Sequence, residues 1–294
     1  MTDAAGATTE LANAADAPSE RPDLVALGER RLSWLERRLI AFVRRTFEPG
    51  FVDRTIRKLQ RLVGSTWIHH FTKHLRFVYG MERLPRFEKK QSYILVSNHR
   101  SFFDLYVVTG HLVRLGLKHR IVFPVRASFF YDSPLGLFVN GVMSFFAMYP
   151  PIFRDRKKAL LNPASLDELA WLLRRGGMLA GLHPEGTRNR GDDPYLFLPA
   201  QRGVGKIIRA AGVPVVPVFI NGLINDLPRQ IGSNFDGTGR KIVVVFGAPV
   251  DFGELLAAPN TPKVHQEIAT RTLDVIAALG REERDRRAEL EAFR

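Results

Sequence analysis

The sequence predicts an α/β fold: a mixed sheet flanked by helices and preceded by amphipathic N-terminal helices. Three observations predict it. From about residue 91, short apolar runs alternate with stretches of helical periodicity, the pattern of strands and helices packed in layers. Helix signals fall between them, such as Thr261-Pro262, a cap followed by a residue suited to the first helical position. Ahead of the alternation, basic residues surround Trp and Phe at helical spacing.

Taken in order, residues 1–30 are rich in Ala, Thr and Asp with little apolar content, which predicts a disordered tail. Trp34, Leu35, Leu39, Phe42 and Val43 mark a helix that Glu48-Pro49-Gly50 breaks. A second helical stretch runs from Asp53 to Tyr79 and carries Ile56, Leu59, Leu62, Val63, Trp67 and Phe71 among arginines and lysines. Such basic helices can lie in a membrane interface or pack on the main domain. His70 and His74 would share a helix face, but no further ligand stands beside them, and no metal site is expected there.

Strands are expected at Tyr93–Val96, Ile121–Val125, Met178–Leu182, Val215–Ile220 and Ile242–Phe246. Helices are expected at Phe102–Leu115, Ser165–Arg175, Gly203–Ala211 and Pro262–Leu279, with a charged tail after the last. Ser165-x-x-Glu168 reads as a capping box opening its helix. Ser133–Phe153 is free of charge but interrupted by Pro134, Gly136, Asn140, Gly141 and Pro150. It reads as a buried or interfacial segment, because a single span there would put residues 99 and 185 on opposite sides of a bilayer. The expected organisation is a tail over 1–30, amphipathic helices over 31–80, a main domain over 81–260, and a helix with a charged tail over 261–294.

The 294 residues, 45% apolar and 25% charged, are enough to bury a core without cross-links. There is no cysteine, which excludes disulfides, thiolate metal sites and a cysteine acyl-enzyme. The net charge of +13 favours polyanionic partners, whether nucleic acid, anionic lipid or phosphorylated substrates. The basic residues are spread over helices that also carry Trp34 and Trp67, and no nucleic-acid motif is present, so nucleic acid is not an expected partner. The N-terminus lacks the pattern of a signal peptide.

Three constellations follow strands. The first is Asn98-His99-Arg100-Ser101-Phe102-Phe103-Asp104. A carboxylate in the first helical turn could fix one imidazole nitrogen and leave the other as a base. Equally, Ser101-x-x-Asp104 could be a capping box. The second is His183-Pro184-Glu185-Gly186-Thr187-Arg188, in which Gly186 allows a tight turn, Arg188 can grip phosphate and Glu185 could accept from hydroxyls. It could also be a charged turn. The third is Val213-Pro214-Val215-Val216-Pro217-Val218, whose prolines suggest an edge strand.

Together the three resemble the 1-acylglycerol-3-phosphate (lysophosphatidic acid) acyltransferase superfamily of glycerolipid acyltransferases. Asn98-His99 with Asp104 matches its first block, Pro184 to Arg188 its third, and Val213 to Pro217 its fourth. Ile152-Phe153-Arg154-Asp155-Arg156 fits the second, with Arg156 or Arg154 as its closing arginine. The likeness covers about residues 80–250.

The resemblance implies transfer of an acyl chain from acyl-CoA or acyl carrier protein to the free hydroxyl of 1-acylglycerol-3-phosphate, giving phosphatidic acid. It implies His99 and Asp104 as the catalytic pair, and Asn98, Arg154, Arg156, Glu185, Gly186, Thr187 and Arg188 as substrate-binding residues. Other acceptors in reach of such motifs are glycerol-3-phosphate, another lysophospholipid or a glycolipid. No metal or resident cofactor is expected beyond the acyl donor as co-substrate. The expected partners are membrane lipids, and the expected location is peripheral or monotopic on the cytoplasmic face of the membrane. The chain departs from the family pattern at Pro150, His183 and Gln201, positions that by analogy would influence the choice of acceptor.

Overall fold

The computed structural model of the chain describes residues 20–292. One sheet holds β1 (Arg76–Tyr79), β2 (Tyr93–Ser97), β3 (Arg120–Arg126), β4 (Met148–Ile152), β5 (Met178–Leu182), β6 (Val215–Asn221) and β7 (Ile242–Phe246), in the order β1-β7-β6-β2-β5-β3-β4. Its pairs are parallel except β6–β7, which is antiparallel, so the sheet is mixed as expected. Every residue of β2, β5, β6 and β7 is buried. Their unbroken apolar runs suit strands covered on both faces. Each buried Val, Ile or Leu there is worth roughly 1.5–3 kcal/mol over an exposed one.

The crossovers decide where a site can form. From β2 the chain passes through α5 (Asp104–Arg114) to β3, moving one way along the sheet. From β4 it returns through α7 (Asn162–Arg174) to β5, and through α8 (Arg202–Ala211) to β6, moving the other way. Right-handed crossovers then place α5 on one face and α7 and α8 on the other. The reversal lies between β2 and β5, whose carboxyl ends open a crevice of the kind that holds ligands.

The N-terminal region differs from expectation. Residues 1–19 and 293–294, part of the predicted tails, lie outside the described residues. Residues 20–30 are folded: Asp23 caps α1 (Leu24–Leu27), and Leu24 is buried. Arg21 donates to Glu168 Oε1 at 2.7 Å, and Tyr149 donates to the same oxygen at 2.7 Å. Low apolar content misled because a single arginine reaches a carboxylate that is wholly buried. That carboxylate is also why the predicted capping box is absent. The helix starts at Asn162, with Ser165 and Glu168 inside it and buried.

The predicted second helix is divided into α3 (Phe51–Leu59), a π-helical turn (Gln60–Gly64) and α4 (Ser65–His70), followed by β1. His74 lies beyond the end of α4, so the shared helix face of His70 and His74 does not exist. The predicted charged tail is helix: α10 runs from Pro262 to Ala292. There Glu283 is buried against Arg287 and accepts from Tyr195 Oη at 2.7 Å, while Arg287 donates to Lys241 O at 2.9 Å. Together with β1, this joins 20–80 and 261–292 to the core of 81–260, and buried apolar residues form one cluster from Leu24 to Leu279.

The proline strand is not at an edge. β6 lies between β2 and β7. Pro217 accepts from Gly247 N on the β7 side, and its donorless nitrogen faces the same way because N and C=O of one strand residue share a side. The β6–β7 ladder begins only at Val218, so no ladder bond is forfeited. The charge-free segment forms α6 (Pro134–Ser144) and the sheet-edge strand β4, and no described helix is long and apolar enough to cross a membrane.

Candidate active site

The crevice brings together loops after β2 and β5, as the motifs suggested. The loop after β2 is wrapped around one carboxylate. Asp104, buried at the start of α5, accepts at Oδ2 from Arg100 N and Ser101 N, both at 2.7 Å. His99 Nδ1 stands 3.4 Å from the same oxygen, at the long end of hydrogen-bond range. Phe103 N donates to Ser101 Oγ at 3.2 Å, which turns the loop ahead of the helix, and no side chain caps α5. Only half of the expected capping box is made: Asp104 accepts from Ser101 N, but Ser101 Oγ takes no N–H of the helix. With Nδ1 facing Asp104, the imidazole's Nε2 is the nitrogen left for substrate.

Glu185 acts on the same loop. Its Oε1 accepts from His99 N at 2.9 Å and its Oε2 from Leu198 N at 2.9 Å. Both oxygens are taken by backbone, so Glu185 clamps the histidine loop and the expected acceptance from substrate hydroxyls is not supported. Asn98 is likewise committed: it accepts from Ile220 N at 2.9 Å and donates to Ile220 O at 2.8 Å. Buried at 1% exposure, it stitches the end of β2 to β6 and offers nothing to a ligand.

Gly186 has φ of 65°, and a Cβ there would stand 2.8 Å from Gln201 Cγ; only glycine turns the chain here without strain. Thr187 is exposed beside it. Arg188 donates to Asn225 Oδ1 at 2.9 Å, and Arg154 reaches Gly186 O at 3.4 Å. Arg156 is exposed with no bond among the described residues. Of the two candidate arginines, the fold thus brings Arg154 to the glycine turn.

His183, read as a specificity position, lies under the base. Its ring stacks on His99 with centroids 3.7 Å apart and planes 6° from parallel, and its Nδ1 lies 3.0 Å from Ser97 O. A donor at Nδ1 to that carbonyl leaves Nε2 unprotonated in the neutral ring. Gln201 sits against Gly186, whereas Pro150 is buried in β4. His99, Asp104 and His183 are also the described group closest to a metal-ligand set, their donor atoms lying within 4.8 Å. Parallel rings at 3.7 Å direct their lone pairs side by side, so both cannot point at one ion as they stand.

Asn225, in the loop after β6, was not anticipated. Besides Arg188 it accepts from Phe102 N at 3.0 Å and Ser101 Oγ at 3.4 Å. One side chain thus joins the arginine to the histidine loop. Its position past a strand's carboxyl end was the available signal.

Burial sets the protonation states. His99 is held down to about 4, first by burial and then by the Arg188 charge. Asp104 is pushed up to about 6 by burial, against the two backbone donors and Arg100. His183 is lowered to about 3 by burial and its histidine neighbour. At neutral pH the site therefore holds a carboxylate and two uncharged imidazoles, the state a general base requires.

Residues 76–221 match the family model described as Acyltransferase. Over 156 residues the chain is 30% identical to the 1-acyl-sn-glycerol-3-phosphate acyltransferase alpha of Ovis aries, covering 50% of this chain and 48% of that protein. It is 27% identical over 150 residues to the 1-acyl-sn-glycerol-3-phosphate acyltransferase of Haemophilus influenzae, covering 49% and 55%. The chain thus spans about half the length of the curated relatives it matches. The crystal structure of the 1-acyl-sn-glycerophosphate (LPA) acyltransferase PlsC from Thermotoga maritima has the same fold. Its TM-score is 0.50 at 19% identity, over 94% of this chain and 96% of that one.

Proposed function

We propose that this chain, a member through residues 76–221 of the acyltransferase superfamily that includes the 1-acylglycerol-3-phosphate acyltransferases, transfers an acyl group from a thioester to the free hydroxyl of 1-acylglycerol-3-phosphate. The observation that carries the reading is the neutral, largely buried His99, backed by Asp104 and clamped by Glu185 where β2 and β5 end.

In this reaction His99 Nε2 takes the acceptor hydroxyl proton as the oxygen attacks the thioester carbonyl. The carbon–sulfur bond then breaks, and the imidazolium returns the proton to the leaving thiolate. Asp104 orients the ring and offsets the imidazolium charge. Arg188 and Arg154 receive the acceptor phosphate, with Thr187 beside them. A thioester is already activated, so no acyl-enzyme is needed, in keeping with the absence of cysteine. General-base assistance is worth about 10²- to 10⁴-fold, and holding both substrates together contributes on the order of 7–11 kcal/mol at best. We place the enzyme on the membrane surface, where its lipid substrate resides, with the exposed apolar residues of the N-terminal helices toward the bilayer.

The test is labelled acyl-CoA with a panel of 1-acylglycerol-3-phosphate, glycerol-3-phosphate, other lysophospholipids and glycolipid acceptors. His99→Ala should fold as the parent does, by circular dichroism, and lose about 10²-fold or more of turnover. Near-parental turnover in that variant would sink the mechanism, and preference for another acceptor would replace the substrate.

A further inference from the structure

Residues 222–226 lead from the end of β6 into α9 (Leu227–Asp236). Asn225 lies in this loop, and both of its neighbours are fixed. Ile224 N donates to Oε1 of the buried Gln230 at 3.0 Å, and Asp226 caps α9 by accepting from Arg229 N at 3.1 Å. Below the loop, β6 is held to β2 by the bonds between Asn98 and Ile220. The exposed amide of Asn225 therefore stands on a rigid base, as a group that must place another one needs.

Its bonds run to two parts of the site at once. Asn225 Oδ1 accepts from Arg188 Nη1 at 2.9 Å, from Phe102 N at 3.0 Å and from Ser101 Oγ at 3.4 Å. Its Nδ2 donates to Arg100 O at 3.4 Å. Arg188 Nη1 is thus engaged, while its Nε and Nη2 have no partner among the described residues. Those two N–H groups form one edge of the guanidinium, the fork that grips phosphate in a bidentate way. The holder is also neutral. A carboxylate in its place would orient the arginine but cancel the charge that a phosphate must meet. The nearby carboxylates are committed elsewhere, Glu185 to His99 N and Leu198 N, and Asp104 to Arg100 N and Ser101 N.

The same bond sets where a positive charge stands relative to the base. Burial first and the Arg188 charge second hold His99 down. Of the other charged and titratable groups around His99, Arg100 and Asp104 belong to its own loop and helix, and His183 and Glu185 to the β5 end. Among these side chains only that of Arg188 is held from the β6 loop. Released from Asn225, the guanidinium would swing into water on its flexible stem, and its field at His99 would weaken.

We infer that Asn225 is a positioning residue, holding the Arg188 guanidinium with its charge intact beside His99, so that a phosphate bound there brings the acceptor hydroxyl into register with the base. The inference rests on the acyltransferase reading for the identity of the ligand. Asn225 touches no reacting atom and acts through Arg188.

Two substitutions at this exposed side chain test it. Asn225→Ala removes the holder. Asn225→Asp keeps an oxygen for Arg188 and Phe102 N but cancels the charge. Arg188→Ala and the Asn225→Ala/Arg188→Ala pair complete a cycle. The full chain is titrated with a short-chain 1-acylglycerol-3-phosphate by calorimetry. The His99 imidazole, assigned by its absence from His99→Ala, is titrated by NMR. Asn225→Ala and Asn225→Asp should each lose about tenfold in affinity for the lipid, and each should titrate His99 at a higher pH than the parent. Acceptor KM should rise to match, with donor KM unchanged. On top of Arg188→Ala, Asn225→Ala should add little to either effect, as expected of two groups that act through one contact.

An unchanged His99 titration in Asn225→Ala overturns the inference, and so does unchanged affinity for the lipid. Full rescue by Asn225→Asp overturns it too, because Asn225 would then serve only to hold the loop at Phe102. Effects that add in full to those of Arg188→Ala have the same consequence. Should the parent neither bind nor acylate 1-acylglycerol-3-phosphate, the acceptor proposed above fails, while the histidine titration still decides whether Asn225 holds the Arg188 charge beside the base.

Discussion

At the scale of the residue, the site shows how much one carboxylate can organise. Asp104, the first residue of α5, gathers two backbone N–H groups and backs His99. Burial then sets the working range. His99 is lowered to about 4 and Asp104 raised to about 6, so both are in their reactive forms above pH 6. The acid limb of kcat/KM should accordingly fall near or below pH 6, lower than the 6.5 of a free imidazole. A limb at pH 7 or above, measured over pH 4.5–8.5, would mean that His99 is not the buried neutral base. Sequence reading singled out His99, Asp104, Gly186 and Arg188 because their types announce chemistry, and the fold gathers them at the ends of β2 and β5. It could not see that Asn98 and Glu185 bond to backbone, since a polar side chain in a loop looks the same whether it meets substrate or backbone. Those backbone bonds appear only when β6 and the 198 loop come alongside.

At the scale of the element, the N-terminal helices pack on the main domain and still leave apolar side chains exposed. α2 (Trp34–Arg45) buries Leu39, Ile40 and Val43, and α3 buries Ile56. The same region leaves Trp34, Phe42, Phe51, Val52, Leu62 and Val63 exposed, and α6 exposes Leu135, Phe138 and Val142. Phe42 meets Phe146 edge to face with centroids 5.5 Å apart, which ties α2 to the end of α6. Large apolar side chains left in water on adjoining elements, with arginines around them, are the composition of an interfacial surface. Leu62→Glu combined with Phe138→Glu, at side chains 60% and 65% exposed, should leave the melting temperature unchanged and reduce sedimentation with anionic liposomes. Undiminished cosedimentation would remove this surface from the membrane contact. The strand β4 and helix α9 went unread for a related reason: Pro150-Pro151 and a Pro-Gly-Ser-Asn stretch carry weak propensity, and tertiary pairing overrode it.

At the scale of the whole molecule, five described histidines resist protonation, His69 among them. His99 and His111 are lowered to about 4, His183 to about 3, and His119 is lowered as well, burial being the first cause in each. Below the ordinary value of 6.5 the unfolded chain takes up protons that the folded chain refuses, so folding stability falls as pH drops from about 6.5 toward 4. Asp104 and Glu185, raised by burial, act in the opposite sense but are fewer. The melting temperature should decline by roughly several degrees or more between pH 7 and pH 5. A flat profile over that window would show that the histidines are not withdrawn from water in solution as they are here.

The sequence by itself determined the layered α/β plan, the central strands and the order of the chemical motifs. Those features rest on local periodicity, on apolar runs and on residue types with few alternative uses. Only the tertiary structure decided which polar side chains face the crevice and which bond to the scaffold. Direction reversal between β2 and β5 opened the crevice, β6 absorbed Asn98, and His183 came to lie on His99. Buried ion pairs at Glu168 and Glu283 drew both flanks onto the core. Each of these depends on groups far apart in the chain meeting with little water between them, where one well-placed partner outweighs local propensity.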